Sequence, residues 1–173
     1  MSWLIRRRRR TVKQWNERIR EVAYLLNPAF CARLLYSTIK EYEDKSQKPM
    51  PFACVYLVLP LVLHKSTRER INSRTHLLQW IQNNQDILIG YANRAKDLVQ
   101  ITNEAVELLL QSGLIELDPD GMLKIVKGKR SLSKTKYSDP EITECINKSE
   151  HVARWFAGAE SVTTIYISLG VRP

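Results

Sequence analysis

The spacing of apolar and polar positions reads as helix over most of the chain. Val12, Trp15, Ile19, Val22, Ala23 and Leu26 form one helical stripe, with Lys13, Glu17 and Arg20 off it. Asn27-Pro28 has the form of an N-cap followed by proline at the first helical position, where the missing N–H is not needed. The helix it opens, over 28–45, is expected to bury Phe30, Leu34, Leu35, Ile39 and Tyr42. Lys48-Pro49-Met50-Pro51 reads as a connector, because two prolines break the helical pattern. Residues 52–63 are apolar all round. A helix without a polar face must be enclosed, so this segment is the expected centre of the core, kinked at Pro60, with a strand as the second reading. Ser66 and Glu69 have the S-x-x-E spacing of a capping box that starts a further helix.

From 75 to 126 the pattern predicts three helices and a hairpin. Leu77, Leu78, Trp80 and Ile81 belong to the first helix. Leu88, Tyr91, Ala92, Ala95, Leu98 and Val99 belong to the second. A break at Gln100-Ile101-Thr102 offers Thr102 as N-cap of the third, which carries Val106, Leu109 and Leu110 and stops at Gly113. Leu114–Leu117 and Met122–Val126 flank Asp118-Pro119-Asp120-Gly121, two short apolar runs around a turn. The expected fold is therefore mainly α: a helical N-terminal lobe plus a winged helix-turn-helix with a short β-hairpin wing. Asp139-Pro140 opens a last amphipathic helix that buries Val152, Trp155 and Phe156, and Ser161–Leu169 is expected as a short helix closed by Gly170. The segments expected are 1–11, a basic N-terminal stretch; 12–74, the helical lobe; 75–126, the winged helix; 127–138, a basic linker; and 139–173, a C-terminal helical segment.

Charge sharpens this picture. The chain of 173 residues has a net charge of +9. Residues 1–20 contribute +7 and residues 127–137 contribute +5, so the remainder carries −3. Short basic segments on a slightly acidic body attract polyanions through counterion release, without reading sequence. Arg6, Arg7, Arg8, Arg9, Arg10, Lys127, Lys129 and Arg130 are the candidate contacts to nucleic acid or another polyanion. The winged helix itself points elsewhere. Its third helix would enter a major groove in a DNA reader, yet between Thr102 and Ser112 it carries Glu104 and Glu107 and no Lys or Arg. The wing adds Glu116, Asp118 and Asp120 against Lys124. Like charges brought together at an interface cost several kcal/mol, so Glu104, Glu107, Asp118 and Asp120 are expected to face protein.

Catalytic chemistry finds little support. Neither GxxxxGK[ST] nor GxGxxG occurs. Cys31, Cys54 and Cys145 are scattered, without metal-ligand spacing, and suit a reducing cytoplasm as small buried hydrophobes. His64 reads as a histidine at a helix end, Cys145 and His151 are six residues apart on one helix, and no nucleophile–base–orienter set can be named. A non-enzyme without cofactor is expected. No secretory h-region follows the arginine run, and the apolar stretch 52–63 is too short to span a membrane.

Several stretches resemble the middle components of bacterial three-component ABC systems. They are Leu25-Leu26-Asn27-Pro28-Ala29-Phe30-Cys31, Met50-Pro51-Phe52, Leu57-Val58-Leu59-Pro60-Leu61-Val62-Leu63-His64-Lys65 and Thr67-Arg68-Glu69. Further on come Leu109–Ile115, Ala153-Arg154-Trp155-Phe156-Ala157 and Leu169–Pro173. The resemblance implies an accessory subunit acting with an SMC-like or Rad50-like ABC ATPase and an effector, often a nuclease. Lamassu-type systems against phage and plasmids are of this kind. A free-standing winged-helix DNA-binding regulator is the alternative, and an enzyme with an unfamiliar site is a third reading.

Overall fold

The structure, a computed structural model, describes residues 26–128, 131–132 and 136–172. The stripe expected from Val12 to Ala23, the run Arg6–Arg10, and Lys129 and Arg130 lie outside the described residues.

Helix α1, Pro28–Ser46, begins as its sequence dictates: the Asn27 side chain accepts the Ala29 N–H at 2.8 Å, and Pro28 takes the first helical position. It ends at Gln47, which adopts a left-handed φ of 57°. α1 is the central element, packed along α7 (Pro140–Ala157) and against α6 (Val99–Gln111). From Cys31 to Ile39 every residue is buried, polar ones included, so this half of the helix has no solvent face. Leu34, Leu35 and Ile39 are fully enclosed, each stabilising by roughly 1.5–3 kcal/mol.

The proline-rich connector is more than a connector. Met50–Pro51 forms strand β1, paired antiparallel with β3 (Met122–Ile125), which in turn pairs with β2 (Ile115–Leu117). The sheet order is β1-β3-β2. Pro51 is tolerated because β1 is an edge, where a missing donor leaves no ladder bond unmade. The sheet thus joins a strand from the expected helical lobe to the expected wing hairpin. The molecule is mostly helical, with this small antiparallel sheet as its wing.

Residues 52–63 are mostly buried, with Phe52, Ala53, Tyr56 and Leu63 half-buried, but they do not form one kinked helix. A 3-10 helix spans Phe52–Leu57 and α2 spans Val58–Val62. Pro60 is the third residue of α2, inside the first turn, where its absent N–H would have had no helical partner. The expected kink is replaced by this break. The expected capping box is also absent: α3, Lys65–Arg68, starts one residue before Ser66, and His64 caps it through its carbonyl, accepting from Thr67 and Arg68.

Helix α4, Leu77–Asn83, is followed by a 3-10 helix at Gln85–Leu88 and by α5, Tyr91–Asp97, so the second expected helix is shorter and begins after Gly90 at φ 74°. α6 begins at Val99, separated from α5 by Leu98 alone. Thr102 is therefore not an N-cap: its N–H closes the first turn onto Leu98 O, and its side chain is buried. Tertiary packing extends the helix across the expected break. The hairpin forms around the expected turn, and α7 starts at Asp139-Pro140, with the Asp139 carboxylate accepting the Glu141 N–H at 2.8 Å. α8, Val162–Ser168, is capped by Ser161 and followed by Gly170 at φ 67°. Among the described residues no helix is long and apolar enough to cross a membrane.

Candidate functional site

α6 buries Ile101, Ala105, Val106 and Leu109 against the core. Its other side presents Asn103, Glu107, Leu108, Leu110 and Gln111 to solvent, with Glu104 half-buried beside them. Glu104 accepts from Gln100 Nε2 at 3.2 Å, and Glu107 accepts from Gln111 Nε2 at 2.9 Å. Both partners are neutral, so neither carboxylate is charge-compensated by them. Val99, Leu108 and Leu110 remain 37–39% exposed, and Leu117 on β2 is 44% exposed. Carboxylates interspersed with exposed aliphatic side chains suit a polypeptide far better than a phosphate backbone.

The wing deepens the acidic character. Asp118 Oδ1 accepts the N–H groups of Asp120 and Met122 at 3.0 and 2.9 Å, and Gly121 takes a φ of 76° to close the turn. Asp118 therefore builds the turn, while Asp120 projects into solvent. Lys124 stands opposite Glu116 in the β2–β3 register and pairs with it at 3.1 Å, which raises the lysine's pKa. The pairing leaves Asp118 and Asp120 to set the sign at the tip.

Lys127 sits in a different setting. It lines an open groove of about 680 Å³ between the C-terminal end of α1 and the wing, together with Lys40, Lys48, Glu43 and Asp44. Lys40 pairs with Asp44. Glu43 accepts the Ile125 N–H at 3.1 Å, and burial raises its pKa against the pull of that bond and of Lys127. The groove is thus of mixed sign rather than uniformly basic. The structure keeps Lys127 among α1 and wing residues, apart from the α6 carboxylates in sequence and element.

A family model described as ABC-three component (ABC-3C) system Middle Component 3, MC3, matches residues 15–173. The chain belongs to this family. No curated protein and no solved structure matches it.

In this MC3 chain, the residues that carried the resemblance are largely core. Leu57, Val58, Leu59, Leu61 and Val62 are at most 1% exposed. His64 Nδ1 lies 2.7 Å from Thr67 Oγ1 and 3.2 Å from Ser66 Oγ, a local cluster at the start of α3, and burial together with Arg94 lowers its pKa. The Trp80 and Trp155 rings pack with centroids 4.9 Å apart at a tilt of 39°, and their Nε1–H groups donate to Arg70 O and Thr75 O respectively. Burial pushes the Cys54 thiol up to about 12 and the Cys145 thiol to about 11, so both stay protonated and unreactive at neutral pH. Among the described residues no group of three or more His, Cys, Asp or Glu could hold a metal ion.

Two residues escaped the sequence reading. Arg68 is 1% exposed and donates to Glu141, Glu144 and the Val62 carbonyl. Arg33 is 6% exposed and makes no ion pair among the described residues. A signal for Arg33 existed: it is the sole charged residue between Glu21 and Lys40. Arg68 stood in the Thr67-Arg68-Glu69 stretch of the resemblance, but its place among several other charges gave no sign of burial.

Proposed function

We propose that this MC3 chain is a non-catalytic accessory subunit that bridges an SMC-like or Rad50-like ABC ATPase and an effector nuclease in a DNA-sensing defence complex against phage or plasmids. Membership of a middle-component family supports the accessory role. The observation that carries the docking role is the solvent face of α6 and the wing, with uncompensated Glu104 and Glu107 among exposed Leu108, Leu110 and Leu117. In this reading that face meets protein. DNA is touched through Arg6–Arg10 and the stretch holding Lys127, Lys129 and Arg130.

One observation favours a second reading. A helix, an edge strand, further helices and a hairpin in sheet order β1-β3-β2 follow the topology of a winged helix, the fold of many DNA-binding regulators. The charge on α6 weighs against groove entry by that element. Co-expression with the ABC ATPase and effector of its own three-component system separates the two. Co-purification of the three supports the bridging role, and a chain that stays alone while binding one DNA sequence selectively overturns it. Replacing Arg6–Arg10 by Ala should flatten the slope of log affinity against log salt; an unchanged slope removes those arginines from the interface.

A further inference from the structure

α1 and α7 pack in parallel. Thr38 reaches the Ser149 carbonyl at 3.5 Å, and further along Glu41 meets Arg154 at 2.6 Å, so both helices run in the same direction. Their N-termini consequently lie side by side. Each opens with a cap residue and a proline, and Phe30 and Ile142 hold the same third position in their helices. Between these turns lies a cavity of about 260 Å³ lined by Asn27, Ala29, Phe30, Arg33, Tyr137 and Ile142.

We propose that this cavity is a carboxylate-binding pocket, built on Arg33, that takes an aspartate or glutamate side chain from a partner polypeptide.

Three features carry the inference. Arg33 lines the cavity and is 94% removed from solvent, and its Nε–H has no acceptor, although the guanidinium also donates to Ser37 Oγ. A buried guanidinium is retained at high cost unless an anion completes it. The nearby carboxylates are committed elsewhere: Asp139 caps α7, and Glu141 and Glu144 bind Arg68. Glu150 feels the charge of Arg33 without forming an ion pair with it. Two helix N-termini side by side add positive potential at the same end.

The walls select among anions. Phe30, Tyr137, Ile142 and Ala29 offer apolar surface, which fits the methylene arm of an acidic side chain. A phosphodiester strand is bulkier and brings a row of negative charges, for which the lining offers one guanidinium among hydrocarbon. That the carboxylate comes from a partner rests on the docking role proposed above. The pocket's chemistry does not, and it is tested on the isolated chain.

The test follows the Arg33 Nε–H resonance of the full chain by heteronuclear NMR. N-acetylglutamate α-amide should shift it saturably, together with the backbone amides of Phe30 and Ile142. N-acetylglutamine α-amide, equal in shape and neutral, should bind at least about tenfold more weakly. Arg33→Lys keeps the charge and removes the planar fork, and should abolish saturation while the rest of the spectrum stays native. If that variant does not fold, the glutamate–glutamine contrast in the wild-type chain decides alone. The proposal is overturned by an absent or non-saturating shift, by equal response to the glutamine compound, by undiminished binding in a folded Arg33→Lys chain, or by inorganic phosphate saturating the site at lower concentration.

Discussion

Arg68 and Arg33 approach the first turns of α7 from two sides, one from α3 and the other from α1. Both are buried, at 1% and 6% exposure. Arg68 spends every nitrogen: Nε on Glu144 at 3.0 Å, one terminal nitrogen on Glu141 at 2.6 Å, the other on the Val62 carbonyl at 3.0 Å. Among the described residues Arg33 has Ser37 and no carboxylate, and its Nε has no acceptor. The same residue type at one helix end is thus a clasp in one place and an open valence in the other. Burial alone does not distinguish structural from functional charge; the acceptor inventory does.

Substituting methionine at each position breaks the comparison most directly. Arg68→Met should lower stability by about 3 kcal/mol, because it strands the Val62 carbonyl in the core and unties α3 from α7. The Glu141 and Glu144 side chains are 50% and 37% exposed, so they rehydrate, which keeps the loss from being larger. Urea unfolding midpoints at neutral pH measure it. A loss below about 0.5 kcal/mol, the level of an ordinary surface change, would mean the clasp does not hold.

Protonating His151 creates, by pH alone, another buried cation without a partner. His151 is 7% exposed and its Nδ1 accepts from Arg154 at 2.9 Å. Burial first, then Arg154 and Lys148, lower its pKa to about 4, against the smaller opposing pull of its Asn72 backbone bond and Glu41. The unfolded chain binds this proton near pH 6.5 and the folded chain only near 4, so the contribution is full above 6.5 and is lost as pH falls towards 4. The loss should be on the order of 2 kcal/mol. His151→Gln should flatten the dependence of the unfolding midpoint on pH across that window; an unchanged slope places the acid sensitivity elsewhere.

Arg33→Met should behave oppositely to Arg68→Met. With no carboxylate to abandon, an isosteric apolar side chain is neutral or stabilising by about 1 kcal/mol. Thermal melts on the two methionine variants settle the sign. A loss at Arg33 equal to that at Arg68 would show that Ser37 and Glu150 already satisfy it, and the distinction between clasp and open valence would collapse.

What the sequence disclosed follows the same division between local and distant causes. Asn27-Pro28, Asp139-Pro140 and Asp118-Pro119-Asp120-Gly121 were legible because each works through bonds two to four residues apart. β1 was not, because Met50 and Pro51 become a strand only by pairing with Leu123 and Met122, more than seventy residues on. Thr102 read as a cap because the apolar pattern breaks at Gln100-Ile101-Thr102, but the packing of α6 carries the helix through that break and leaves the Thr102 hydroxyl buried without a partner among the described residues. The acidic face of α6 could be read from composition at helical spacing. The cavity at Arg33 could not, since it arises from two helices brought parallel across more than a hundred residues.

Glu104 and Glu107 supply the smallest effect on stability and the sharpest contrast with Arg33. Among the described residues they too lack charged partners, but Glu107 is exposed and Glu104 half-buried, so water serves them where it does not reach the Arg33 Nε. Reversing both to Lys should change unfolding free energy by less than about 0.5 kcal/mol, since exposed carboxylates on a helix gain little from neutral neighbours. If the proposed docking face is α6, the same double variant should lose co-purification with the partner subunits, because the reversal turns attraction into repulsion there. Retained assembly alongside an unchanged melt would remove α6 from the interface and leave the α1–α7 end as the surface to test next.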